Sequence, residues 1–134
     1  MASDRLRGNP EKRVILDSNA ILMLFEFSVD LESELTRLLG SYKIIIPKPI
    51  FNELVFLSKE GKGQKKNNAN ASLKLIKKYD IVDVEAKDAD ESVFLLAQKI
   101  DGIVVTNDRD LRKRLKKNSI SVVYLRGKKR LELD

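Results

Sequence analysis

The chain is 134 residues long, the size of one ordinary domain with a single core. It contains no cysteine and no histidine, which excludes disulfides, thiolate or imidazole catalysis, a Ser-His-Asp triad and His- or Cys-ligated zinc. Twenty-six Lys and Arg against 20 Asp and Glu leave a net charge of +6, which suits a polyanionic partner, most simply nucleic acid, and nearly as well suits plain solubility.

No run of apolar residues is long enough for a membrane span, so no membrane association is expected. The polar start, with Arg5 and Arg7, does not read as a secretory signal, and the cytoplasm is the default compartment. Residues 1–12 read as a flexible lead-in, 13–126 as the folded domain and 127–134 as a basic tail.

In chain order, Arg13 to Asp17 reads as a buried strand and Ala20 to Phe27 as a short apolar helix. Asp30 to Leu39 carries a helical stripe at Leu31, Leu35, Leu38 and Leu39 and is ended by Gly40. Tyr42 to Ile46 is a second strand, after which Pro47 and Pro49 open a helix through Ser58. Glu60 to Asn68 has no apolar residue and two glycines, the pattern of an exposed, mobile loop. A helix over Ala69 to Tyr79 and a third strand over Ile81 to Glu85 follow. Asp88 opens the next helix in capping-box style with Glu91, and Ile103 to Thr106 is strand four. Asp108 to Lys117 forms a last helix and Ile120 to Leu125 strand five. Strands separated by helices of this length give a parallel sheet with helices on both faces.

Four acidic residues stand where a strand should end or a helix begin: Asp17, Glu53, Asp90 and Asp108. Each has an ordinary explanation as a helix cap or first-turn acid. Ser18 or Asn19 can cap the first helix, however, and Thr106 or Asn107 the last, which releases Asp17 and Asp108. In an open parallel sheet, ligands bind beyond the carboxyl ends of the strands, where the strand order reverses. Carboxylates gathered there repel one another unless a cation sits among them. The pattern therefore reads as a site for one or two Mg²⁺ or Mn²⁺ ions, with Asp110 as a second-choice ligand.

At these residues the chain resembles the PIN-domain family of nucleases. The matching segments are Leu16-Asp17-Ser18-Asn19-Ala20, Phe51-Asn52-Glu53-Leu54, Ala89-Asp90-Glu91 and Val105-Thr106-Asn107-Asp108. The resemblance extends from about Arg13 to Leu125, and the late motifs, with Val122 to Arg130, look most like the branch that processes small-subunit ribosomal RNA. It implies an α/β/α sandwich around a five-stranded parallel sheet of order 3-2-1-4-5. It also implies Asp17, Glu53, Asp90 and Asp108 as catalytic metal ligands, with Ser18, Asn19 and Thr106 orienting carboxylates or water.

The chemistry so implied is metal-dependent hydrolysis of RNA phosphodiester bonds, with ions ~4 Å apart in the two-ion case. Expected phosphate contacts are Arg109, Arg112 and Lys113 beside the last acidic motif, Lys65 and Lys66 in the loop, and Lys128 and Lys129 in the tail. Aromatics are few, so backbone contacts to single-stranded or pre-ribosomal RNA dominate the expected binding. The alternatives are a toxin ribonuclease paired with a protein antitoxin, and a non-catalytic RNA-binding module of ribosome assembly. A second copy of the chain is a further candidate partner, partly through the apolar early helix (Ile21, Leu22, Leu24, Phe25, Phe27), although these residues suit a core better than an interface. A phosphoacceptor signalling domain is disfavoured, because strand three carries no lone terminal Asp and strand five ends on Leu125-Arg126.

Overall fold

The run Val14-Ile15-Leu16 is apolar without alternation, the signature of a strand covered on both faces, and all three side chains are completely buried. In the computed structural model, which describes residues 11–134, this run lies in the centre of the sheet as β1 (Lys12–Leu16). The elements that follow are α1 (Ser18–Glu26), α2 (Leu31–Leu39), β2 (Tyr42–Pro47), α3 (Lys48–Glu60) and α4 (Gly63–Ile76). The chain continues with β3 (Asp80–Val82), α5 (Ala89–Ile100), β4 (Ile103–Val105), α6 (Arg109–Lys117), β5 (Val122–Arg126) and β6 (Arg130–Leu133). The expected lead-in falls mostly outside the described residues, and Lys12 already belongs to β1.

The strand order is β3-β2-β1-β4-β5-β6, so the order reverses between β1 and β4 as expected. The first five strands are parallel, and the right-handed crossover rule for such strands puts α1–α4 on one face and α5–α6 on the other, in keeping with α4 packed on α1 and α3 and α5 packed on α6. The core is aliphatic, with Ile21, Leu35, Ile46, Ile50, Leu54, Ile76 and Leu115 closed off completely around the sheet. Ile21, Leu22 and Leu24 of α1 are core residues, which removes them as an interface with a second copy.

Two expectations are corrected. The tail is not a tail: Arg130–Leu133 forms a sixth strand, antiparallel to β5 in a hairpin. Gly127 and Lys128 both have positive φ (63° and 59°), the primed turn that matches strand twist, and the amide of Lys129 closes it on the Arg126 carbonyl. The new strand is held from α2, where Glu34 accepts from the Leu131 amide (2.8 Å) and Arg37 donates to the Leu131 carbonyl (2.7 Å). Leu131 itself is fully buried.

The stretch read as a mobile loop is the first half of α4, which begins at Gly63. Its buried stripe is made of small and polar residues, Asn68, Ala69 and Ser72, before Ile76. That stripe packs on α1 and α3, and packing rather than apolar periodicity makes the segment helical.

Candidate functional site

Register explains why Asp17 and Thr106, 89 residues apart, meet. Leu16 of β1 lies opposite Val105 of β4, and each strand ends there, so the next residue of each emerges at the same level. The Asp17 amide donates to the Val105 carbonyl (3.1 Å), and the Thr106 hydroxyl donates to Asp17 Oδ2 (2.9 Å). Asp17 is 2% exposed and Thr106 fully buried. Neither Ser18 nor Asn19 caps α1. Asp17 occupies the cap position itself, with extended backbone, and its carboxylate makes no capping bond. The side chain stays available, but for a reason other than the one expected.

Ser18 is buried and donates its hydroxyl to Glu53 Oε1, joining the start of α1 to the second turn of α3. Glu53 and Asp90 are exposed, and Asp108 is half-buried. Burial, above all, pushes the Asp17 carboxyl up to about 6, and the charges of Asp90 and Glu53 push the same way against the Thr106 bond. The Asp90 carboxyl is also raised, by partial burial and then by Asp108, Asp88 and Glu53. Asp90 and Glu53 thus act on the buried Asp17, and Asp108 and Glu53 act on Asp90, at the carboxyl end of the sheet.

Asp108 does double service. Its Oδ1 caps α6 by accepting from the Leu111 amide (2.8 Å), while its own amide donates to Thr106 Oγ1 (3.1 Å). Asn107, expected as a cap, instead clamps β5: it donates to the Leu125 carbonyl (3.0 Å) and accepts from the Leu125 amide (2.7 Å). Asp88 caps α5 on the Glu91 amide (2.9 Å), while the Glu91 side chain pairs with Arg114 (2.6 Å) rather than completing a capping box. Asp110 is exposed in the first turn of α6 and is not among the charges acting on Asp17 or Asp90. Asn19 is exposed at the mouth of a cavity of about 550 Å³, which Asn107 and Asp108 also line.

A hard divalent cation fits this donor set chemically. The donors are carboxylate oxygens, and no ammonium or guanidinium is among the groups that shift Asp17 or Asp90. In spacing the fit is looser: among the described residues no three acidic side chains stand close enough to form a ready-made ion site. That suits Mg²⁺, which keeps several waters and takes only one or two protein carboxylates, better than a dehydrated ion in a full cage.

The expected RNA contacts divide. Arg109, Lys113, Lys65, Lys66, Lys128 and Lys129 are exposed, Lys128 with its ammonium 5.3 Å from the centre of the Phe27 ring. Arg112 is committed elsewhere, paired with Asp134 (3.0 Å) and stacked 4.3 Å from the Tyr124 ring centre. The residues missed from the sequence are the Asn107 clamp and the Gln64–Asn68 pair on α4, where Gln64 Nε2 donates to Asn68 Oδ1 (2.9 Å). Gln64, Asn68, Ser72 and Ile76 recur every four residues, but three of the four are polar, so apolar periodicity gave no signal for that helix face.

A PIN-like domain model matches residues 14–128. The chain belongs to the PIN-like domain family. Among its curated relatives is Ribonuclease VapC4 of Methanocaldococcus jannaschii, 34% identical over 125 residues, which cover 90% of this chain and 95% of that one. Ribonuclease VapC9 of Archaeoglobus fulgidus is 30% identical over 134 residues, covering 100% and 98%. The solved structure of the PIN domain endonuclease Utp24 superposes with a TM-score of 0.75 at 20% identity, covering 94% of this chain and 93% of that one. A domain of a functionally unknown protein from Methanocaldococcus jannaschii gives 0.64 at 19% identity, covering 87% and 92%. These two likenesses concern the fold, and they agree with the PIN-like sheet order and layers.

Proposed function

We propose that this PIN-like protein is an Mg²⁺- or Mn²⁺-dependent endoribonuclease of the VapC kind. The observation that carries the reading is the buried Asp17 at the strand-order reversal, under the charges of Asp90 and Glu53, with Asp108 acting in turn on Asp90, in a chain whose full-length curated relatives are named ribonucleases. Both relatives are named VapC, which favours the toxin-type reading, with an antitoxin protein as partner, over ribosomal RNA processing.

Asp17, Glu53, Asp90 and Asp108 would hold the cation. Bound there, it would supply Lewis-acid activation of water and neutralisation of charge at the scissile phosphate. The remaining work belongs to the chain. Thr106 would hold the rotamer of Asp17 by donating to Oδ2. Ser18 does the same for Glu53. Asn107 locks β4 and β5 together behind Asp108. Arg109 and Lys113, exposed on α6, draw the RNA backbone towards the acidic edge that would otherwise repel it.

The test is cleavage of a labelled single-stranded RNA by the purified full chain with Mn²⁺, with Mg²⁺ and with EDTA. Cleavage should require the metal and drop at least about a thousandfold in Asp17→Asn, with the fold retained by circular dichroism. Cleavage that survives EDTA, or an Asp17→Asn protein cutting at the wild-type rate, would refute the assignment.

A further inference from the structure

The cavity of about 550 Å³ beside the acidic site lies within the size range of small-ligand pockets. It opens between α1, α4 and the turn that carries Asp108. Its apolar side is Leu22 and Met23, and its polar side is the Gln64–Asn68 pair. After Gln64 Nε2 has donated to Asn68 Oδ1, the first keeps a second N–H and the second a lone pair, and the pair further presents a donor group, Asn68 Nδ2, and an acceptor, Gln64 Oε1. Among the described residues neither atom has another hydrogen-bond partner, and neither is shut away from solvent.

We infer that this cavity takes one unpaired nucleobase of the RNA, read on its hydrogen-bonding edge by Gln64 and Asn68, next to the phosphate presented to the acidic residues. The inference rests on the ribonuclease reading for the identity of the polymer. Three features favour a base over other ligands. A thioether and a Leu side chain suit the flat face of a heterocycle. Side-by-side amide donor and acceptor groups match the edge of an unstacked base. A phosphate is disfavoured inside, since Asp108 and Glu26 both line the cavity, whereas Lys65 lies among the lining residues to meet the backbone that enters with the base. Asp108 belongs at once to the cavity and to the carboxylate cluster, so an occupant of the cavity is a neighbour of the reacting phosphate.

The consequence is base preference at one position beside the cut. It is tested without catalysis, by fluorescence anisotropy of the full chain in EDTA with fluorescein-labelled single-stranded RNA hexamers. One position at a time carries each of the four bases or an abasic ribose. At one position the abasic sugar should weaken binding at least tenfold, and the four bases should differ among themselves. Gln64→Leu and Asn68→Ala should each compress these differences below threefold. Gln64 is exposed, so Gln64→Leu serves if the Asn68 variant fails to melt cooperatively. Equal binding of abasic and intact hexamers by the wild type, no RNA binding at all, or variants that discriminate as the wild type does would each overturn the inference. A protein that cleaves RNA but shows no base discrimination loses only this inference. One that discriminates bases but does not cleave loses only the nuclease assignment.

Discussion

At the scale of the single residue, Asp17 gives the site its character because burial and like charge raise its carboxyl from 3.8 to about 6. Between those values the folded protein holds a proton that the unfolded chain has released, so stability falls as pH rises through this window. By neutral pH the cost is on the order of 2–3 kcal/mol in the absence of a cation. Asp90 shifts in the same direction. Asp17→Asn removes the buried charge and keeps an acceptor for the Thr106 hydroxyl. In EDTA at pH 7.5 its urea midpoint should lie above that of the wild type, and the two should converge near pH 4. Mg²⁺ should then raise the wild-type melting temperature more than the variant's, since a ligand stabilises only the state that binds it. A wild type more stable than Asp17→Asn at pH 7.5 in EDTA would contradict the account. The candidacy of Asp17 was legible in the sequence, because an acid directly after Val-Ile-Leu must end a buried strand. The Asn107 clamp was not, since its partner Leu125 is 18 residues away and no local rule pairs them.

At the scale of elements, legibility followed hydrophobic pattern and failed where packing alone made the structure. Strands β1, β2 and β4, and helices α2 and α5, announced themselves through runs or stripes, through the terminating Gly40 of α2 and through the cap Asp88 of α5. The start of α4 carries no apolar residue and opens on Gly63, two residues after Gly61; it is helical because its small polar face fits against α1 and α3. Strand β6 was hidden by charge, its one buried residue Leu131 flanked by Arg130 and Glu132. The antiparallel edge strand therefore stands on a prediction of its own. Leu131→Ala should cost about 2–5 kcal/mol, the usual range for emptying a closed aliphatic site, read as a lower urea midpoint. Glu34→Ala, which strands the Leu131 amide and frees Arg37, should cost about 1–2 kcal/mol. Were residues 127–134 a loose tail, neither substitution would move the midpoint.

At the scale of the whole molecule, an excess of six positive charges surrounds an acidic site, and the two must be reconciled for a polyanion to bind. The reconciliation lies in how the cations are used. Lys43, Lys78, Arg112, Arg114, Lys116 and Arg126 are each within ion-pair distance of a carboxylate, several of them tying one element to another. Arg109, Lys113 and Lys65 have no such partner among the described residues; Arg109 directly follows Asp108, Lys65 lines the same cavity as Asp108, and Lys113 stands one turn further along α6. The composition suits a nucleic-acid partner and nearly as well plain solubility, but only the fold separates the cations that hold elements together from those free to meet a phosphate. The separation makes a quantitative prediction. Each phosphate neutralised on a single strand contributes about −0.7 to the slope of log K against log salt concentration. Lys113→Ala and Arg109→Ala should each weaken binding of a single-stranded RNA and flatten that slope by about 0.7, with the urea midpoint unchanged. Arg112→Ala should do the reverse, because its loss leaves Asp134 with Lys116 alone and uncovers Tyr124; stability should fall while the slope stays within error. If Arg112→Ala flattens the slope as much as Lys113→Ala, its pairing with Asp134 opens when RNA arrives, and the division between structural and binding cations fails at that residue.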